Sequence, residues 1–92
     1  MLDEKTIQMI VKGLVQGVGF RWATRQAARR HNIAGYVQNL YRGDVKIIAQ
    51  GRPADLKIFE QIIKRSPTPY GHVKAVEIRV IPRVPYSLFI VK

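Results

Sequence analysis

Residues 13–21 read GLVQGVGFR, and the glycines in this stretch, Gly13, Gly17 and Gly19, decide how the chain is organised. An apolar run containing Ile7, Met9, Ile10 and Val11 comes before it, and a segment of helical character begins near Arg21. Glycine has no Cβ, so it takes φ > 0 without strain and lets the backbone come close to a ligand. A loop bent in this way ahead of a helix turns its amide N–H groups inward. The helix start adds unpaired N–H groups and a partial positive charge. Arg21 sets a planar, permanently charged fork at the rim. The stretch therefore predicts an anion cradle suited to phosphate. A tight turn is the plainer account of the same glycines. Two familiar phosphate-loop patterns do not fit, because no Gly-Lys-Ser/Thr follows and the last glycine of G-x-G-x-x-G is missing.

Working outward, residues 6–12 alternate, with Ile7, Met9 and Val11 on one face and Gln8, Ile10 and Lys12 on the other, and predict a strand. Residues 21–32 predict a helix with small apolar residues at Ala23, Ala27 and Ala28. Arg25, Arg29 and Arg30 favour its exposed side, and Asn32 suits a left-handed terminator. Gly35 is expected to mark a turn. Residues 35–41 and 44–50 form a hairpin around Arg42-Gly43, in which Val45, Ile47 and Ala49 oppose a wetter face of Asp44, Lys46, Ile48 and Gln50. Pro53 and Asp55 suit the first turn of a second helix, carried by Leu56, Phe59, Ile62 and Ile63 and closed by Lys64 and Arg65. Residues 66–71 are a loop, since proline neither continues a helix nor pairs freely. In residues 73–81, Val76, Ile78 and Val80 alternate with Glu77 and Arg79. Pro82 and Pro85 interrupt the chain before a short last strand from Tyr86 to Val91. The order β-α-β-β-α-β plus a terminal strand predicts an α+β, ferredoxin-like split β-α-β sandwich, an antiparallel sheet with two helices on one face. That topology serves unrelated functions, so the site must carry the functional argument.

The same residues resemble the acylphosphatase family. GLVQGVGFR is similar to its first signature, roughly G-x-V-Q-G-V-x-F-R. Residues 35–51, GYVQNLYRGDVKIIAQG, are similar to its second, in the same order and at close to the same separation. The resemblance covers essentially residues 1–92 as one domain and suits a stand-alone member. It implies hydrolysis of the carboxyl-phosphate bond of acyl phosphates, without metal or other cofactor. It also implies that Arg21 binds the phosphate, that Asn39 positions the attacking water, and that the loop of Gln16, Gly17, Val18, Gly19, Phe20 and Arg21 holds the phosphoryl group mainly through backbone N–H groups. Inorganic phosphate is then both product and competitive inhibitor.

The residues support those two positions on their own terms, without excluding plainer accounts. A cation at a helix start opposes the helix dipole, which hints at a compensating anion beside Arg21; a solvated surface arginine is the alternative. Asparagine is disfavoured in strands, yet its amide both donates and accepts, so Asn39 is suited to orient a water; a strand-end asparagine is the alternative. Phe20, Trp22 and Tyr36 are expected to pack or to support the loop.

The bulk numbers set the bounds. Ninety-two residues suggest one domain, burying roughly 60–65% of the surface of the unfolded chain. There is no cysteine, which excludes disulfides and thiolate chemistry, and His31 and His72 show no metal-ligand spacing. Residues 1–12 do not read as a signal peptide, and no apolar run is long enough to span a membrane, so a cytoplasmic location is expected; the protein is also expected to be a monomer. The net charge of +10 attracts anions. It permits a second reading as a nucleic-acid-binding module, although residues 45–49 lack the ring-stacking side chains that RNA recognition places on central strands. A third reading is a non-catalytic regulatory domain of acylphosphatase type. Specific nucleic-acid and membrane partners are not expected.

Overall fold

The computed structural model describes residues 3–92; the first two residues of the expected 1–92 domain lie outside the described residues. The elements are β1 (Lys5–Leu14), α1 (Phe20–Arg30), β2 (Ala34–Asn39), a 3-10 turn (Tyr41–Gly43), β3 (Val45–Gly51), α2 (Pro53–Lys64), β4 (His72–Ile81) and β5 (Phe89–Val91). They follow the expected order. The strands form one sheet in the order β4-β1-β3-β2-β5. Met9 of β1 lies between Ile47 of β3 and Ile78 of β4 in antiparallel register. The first four strands pair antiparallel, as anticipated for the whole sheet, but β5 runs parallel to β2, with Tyr36 beside Ile90.

Alternation puts Ile7, Met9, Val11, Val37, Val45, Ile47 and Ala49 on one buried face. Both helices pack there, through Phe20, Ala27 and Ala28 of α1 and Leu56, Phe59 and Ile63 of α2. The two alanines let α1 approach the sheet closely. Phe59 meets Phe89 edge-to-face, with centroids 6.1 Å apart, so the short β5 is anchored in the core by its first residue.

Several local expectations are corrected. Gly35 is not a turn; it sits inside β2 with φ 133°, where a Cβ would collide with the carbonyl oxygen of Ile48 on the neighbouring strand. The glycine permits strand pairing rather than chain reversal. Gly13 belongs to β1, at a register shift between Lys12 and Gly13, and not to the loop. Helix α1 stops at Arg30, and Asn32 takes the left-handed conformation expected of it, φ 59°. Ile48 and Gln50, expected on the wetter face, are buried, and Gln50 accepts a 2.7 Å hydrogen bond from Thr6. Ile78 and Val80 share the core face yet are 36% and 65% exposed, because β4 is the edge strand and the helices sit over the centre of the sheet.

Strand β5 is shorter than expected, and topology gives the reason. The sheet order separates β4 from β5 by four inter-strand gaps, about 19 Å at ~4.8 Å each. The eight Cα steps from Ile81 to Phe89 reach about 26 Å when extended. Most of that segment must therefore cross the end of the sheet instead of joining it, and Pro82 and Pro85 favour the extended path. Tyr86 packs edge-on against Tyr36 during the crossing, and the Leu88 carbonyl accepts from the Gly35 N–H at 2.9 Å.

Candidate phosphate site

The loop between β1 and α1 takes its shape from two left-handed glycines, Gly17 with φ 75° and Gly19 with φ 77°. Nothing lies within 4 Å of a Cβ built on either. The backbone conformation, not crowding, therefore calls for glycine there. Gly19 is the N-cap of α1, and no side chain caps that end. Its carbonyl accepts the Ala23 N–H at 3.0 Å. Among the described residues, the N–H groups of residues 17–22 donate to no main-chain or side-chain acceptor of the protein. The helix start thus offers a run of unpaired donors with the positive end of the helix dipole behind them.

Gly17 and residues 19–22 of this run line a cavity of about 350 Å³, together with Val15, Arg25, Asn39 and Val91. Arg21 and Asn39, far apart in sequence, lie on this one concave surface. The hairpin explains the placement of Asn39: it is the last residue of β2, paired with Val45 of β3. Its Oδ1 is buried and has no hydrogen-bond partner among the described residues. Buried polar atoms are seldom left unpaired, and the Nε of Arg25, on the same cavity, is a second such atom. Arg21 is held from behind, its Nη1 donating at 2.9 Å to the main-chain oxygen of Lys92 beyond β5. Lys92 is itself fixed, its N–H bonding the Val37 carbonyl at 2.8 Å and its ammonium lying 3.9 Å from the Tyr36 ring centroid.

Of the six loop residues anticipated, Gly17, Gly19, Phe20 and Arg21 line the cavity, and Gln16 and Val18 do not. Gln16 is a strut. Its amide nitrogen donates to the carbonyls of Leu40 and Asp44, each at 2.8 Å, and so ties the loop to the hairpin that carries Asn39. The carbonyl of Val18 accepts a 3.3 Å hydrogen bond from Thr68. Phe20 is a core residue that also lines the cavity.

Two lining residues were read otherwise from the sequence. Arg25, assigned to the exposed side of α1, is partly buried, and its Nε is enclosed without an acceptor. Trp22, expected to pack or to support the loop, is 62% exposed and lines the cavity. The signal for Arg25 was present: four residues beyond Arg21, it lies on the same helical face. Among the described residues no cluster of three or more His, Cys, Asp or Glu could hold a metal, and no helix is long and apolar enough to cross a membrane.

The acylphosphatase family model matches residues 7–90. An acylphosphatase of Lactobacillus johnsonii is 47% identical over 78 residues, which span 85% of this chain and 86% of that protein. The solved structure of an acylphosphatase from Coxiella burnetii superposes with a TM-score of 0.93 at 33% identity, covering 98% of this chain and 94% of the other. That of the Bacillus subtilis acylphosphatase gives 0.90 at 30% identity, covering 95% and 97%. This chain belongs to the acylphosphatase family.

Proposed function

We propose that this protein hydrolyses acyl phosphates by direct attack of water on phosphorus, with Arg21 and the loop N–H groups holding the phosphoryl group and Asn39 aiming the water. The observation that carries the proposal is the shared cavity. Arg21, most of the residues whose N–H groups are unpaired, and Asn39, whose carboxamide oxygen has no partner among the described residues, all line it in a chain of this family.

The chemistry asks for little more. An acyl phosphate is a mixed anhydride whose leaving group is already a good one, a carboxylate. Water adds to phosphorus, the bond from phosphorus to the bridging oxygen breaks, and the products are a carboxylate and dihydrogen phosphate. Phosphoryl transition states are loose and place charge on the peripheral oxygens. Preorganised donors around those oxygens stabilise that charge without reorganising during the reaction. The Asn39 Oδ1 accepts a hydrogen bond from the incoming water and fixes its approach. The high positive charge draws the anionic substrate toward the cavity.

The test is loss of benzoyl phosphate absorbance in the presence of a chelator. Turnover that persists, with competitive inhibition by inorganic phosphate, supports the reading. Arg21→Lys keeps the charge but loses the bidentate fork, and Asn39→Ala removes the water-directing amide. Each is expected to lower kcat by at least about 100-fold, roughly 2.7 kcal/mol of transition-state stabilisation, in a protein with an unchanged circular dichroism spectrum. Near-wild-type turnover in either folded variant refutes that residue's role.

A further inference from the structure

We propose that Arg25, with Trp22 as a flat wall, forms an acyl subsite that selects acyl phosphates whose acyl group carries a second negative charge. The inference rests on the phosphoryl-binding role of Arg21 proposed above and adds to it. Arg21 and Arg25 are one helical turn apart, about 6 Å along the axis, and both line the same cavity. At about 350 Å³ that cavity has room for an acyl group as well as a phosphoryl group.

Charge makes the argument specific. No Asp or Glu lines this cavity. The ion pairs among the described residues, Lys12–Glu77 and Arg83–Glu4, leave Arg25 without a carboxylate. Its Nε is buried and donates to nothing. The enclosed Nε carries a desolvation cost, and the accessible part of this half-buried guanidinium on the cavity wall is what an incoming anion meets. A phosphoryl group gripped by Arg21 and the loop amides answers the charge at the helix start, one turn away, and the charge at Arg25 remains unanswered. Trp22 is 62% exposed beside Arg25 and offers the acyl group an apolar face.

The experiment compares kcat/KM for benzoyl phosphate and 3-carboxybenzoyl phosphate, which share a reacting centre and differ by one carboxylate. The wild type is expected to favour the carboxylated substrate by roughly fivefold or more, the scale of a partly exposed, charge-assisted contact. Arg25→Gln is expected to lower kcat/KM for the carboxylated substrate at least about fivefold more than for benzoyl phosphate, and Arg25→Lys to keep part of the preference. Equal losses on both substrates overturn the proposal and make Arg25 a phosphoryl ligand; no loss on either also overturns it. If Arg25→Gln does not fold, the wild type decides, because its preference must shrink from low to high salt, and a preference indifferent to salt overturns the proposal. A wild type that leaves both substrates intact defeats the underlying reading of the reaction, a result distinct from hydrolysis without preference.

Discussion

Replacing Gln16 by methionine, a side chain of similar length with no amide, tests whether the strut builds the site. Gln16 donates two 2.8 Å hydrogen bonds, to the carbonyls of Leu40 and Asp44. The Asp44 carbonyl keeps a second donor, the Leu40 N–H at 2.8 Å. The Leu40 carbonyl loses its protein partner. Two hydrogen bonds at ~1 kcal/mol each, plus part of the cost of one unsatisfied carbonyl, give a loss of about 2–3 kcal/mol. For a domain of this size that lowers Tm by about 10–20 °C. The functional effect is separate and is measured at 25 °C, where the variant is still folded. Untying the loop from the hairpin lets Gly17–Arg21 move against Asn39, and a misplacement of about 1 Å costs up to ~100-fold in rate. Thermal melts by circular dichroism and benzoyl phosphate turnover read the two effects on one sample. Gln16→Glu sharpens the test, because the carboxylate has the same reach but faces two carbonyls without a proton to offer. A Gln16→Met protein that melts with the wild type and turns over at its rate refutes the idea that this amide joins the two halves of the site.

Other substitutions probe different links. Gly19→Ala places a Cβ on a residue with φ 77°; the expected cost is about 1–2 kcal/mol in thermal melts, with weaker protection by inorganic phosphate, and an unchanged Tm would show that the loop relaxes. Gly35→Ala drives a Cβ into the Ile48 carbonyl oxygen, so the purified variant is expected to lose the cooperative melt that the wild type shows. Phe59→Ala empties a fully buried position against Phe89 and should cost about 3–5 kcal/mol in denaturant unfolding. Raising ionic strength should lower kcat/KM on benzoyl phosphate while kcat holds, because screening weakens capture rather than the held transition state; a fall in kcat alone would remove steering from the account.

What the sequence disclosed, and what it did not, follows from the range of the interactions concerned. The order of elements was legible because Ile7, Met9 and Val11 alternate, and because Leu56, Phe59 and Ile63 recur at helical spacing. Those patterns depend only on local periodicity and on a buried face. The role of Gly35 is not legible locally, because a glycine at a turn and a glycine under a neighbouring carbonyl look alike until Ile48 is placed beside it. The extents of β5 and of the covered part of β4 depend on strand order, which periodicity does not carry. For the site, the bent loop and the free helix start were local and readable. That Asn39 ends up facing the loop requires the β2–β3 register and the Gln16 strut. Arginine on a helix is usually solvated, which hides Arg25 in the sequence; its i, i+4 relation to Arg21 is the cue that points the other way.

The bonds that fix the site are long in sequence and alike in kind. Gln16 reaches Leu40 and Asp44, Arg21 reaches Lys92, Thr68 reaches Val18 and Arg29 reaches Phe89, each a side chain donating to a distant main-chain oxygen. A loop without regular structure has no ladder to hold it, so its carbonyls and its conformation are satisfied from elsewhere. A chain of 92 residues buries a modest core, and a second rigid layer behind the loop is not available. Side-chain struts supply rigidity at small cost in length, but each of them works only when the element at its far end is in place. The loop can therefore keep its binding geometry only while β2, the Thr68 turn and the β5 end remain docked. Opening of the site and opening of the whole domain should then have nearly the same free energy, so that hydrogen exchange at the hydrogen-bonded Ala23 N–H tracks exchange in the β1–β3 core. Exchange at Ala23 faster than the core by several powers of ten would mean that the loop is held locally, and that the distant struts contribute little.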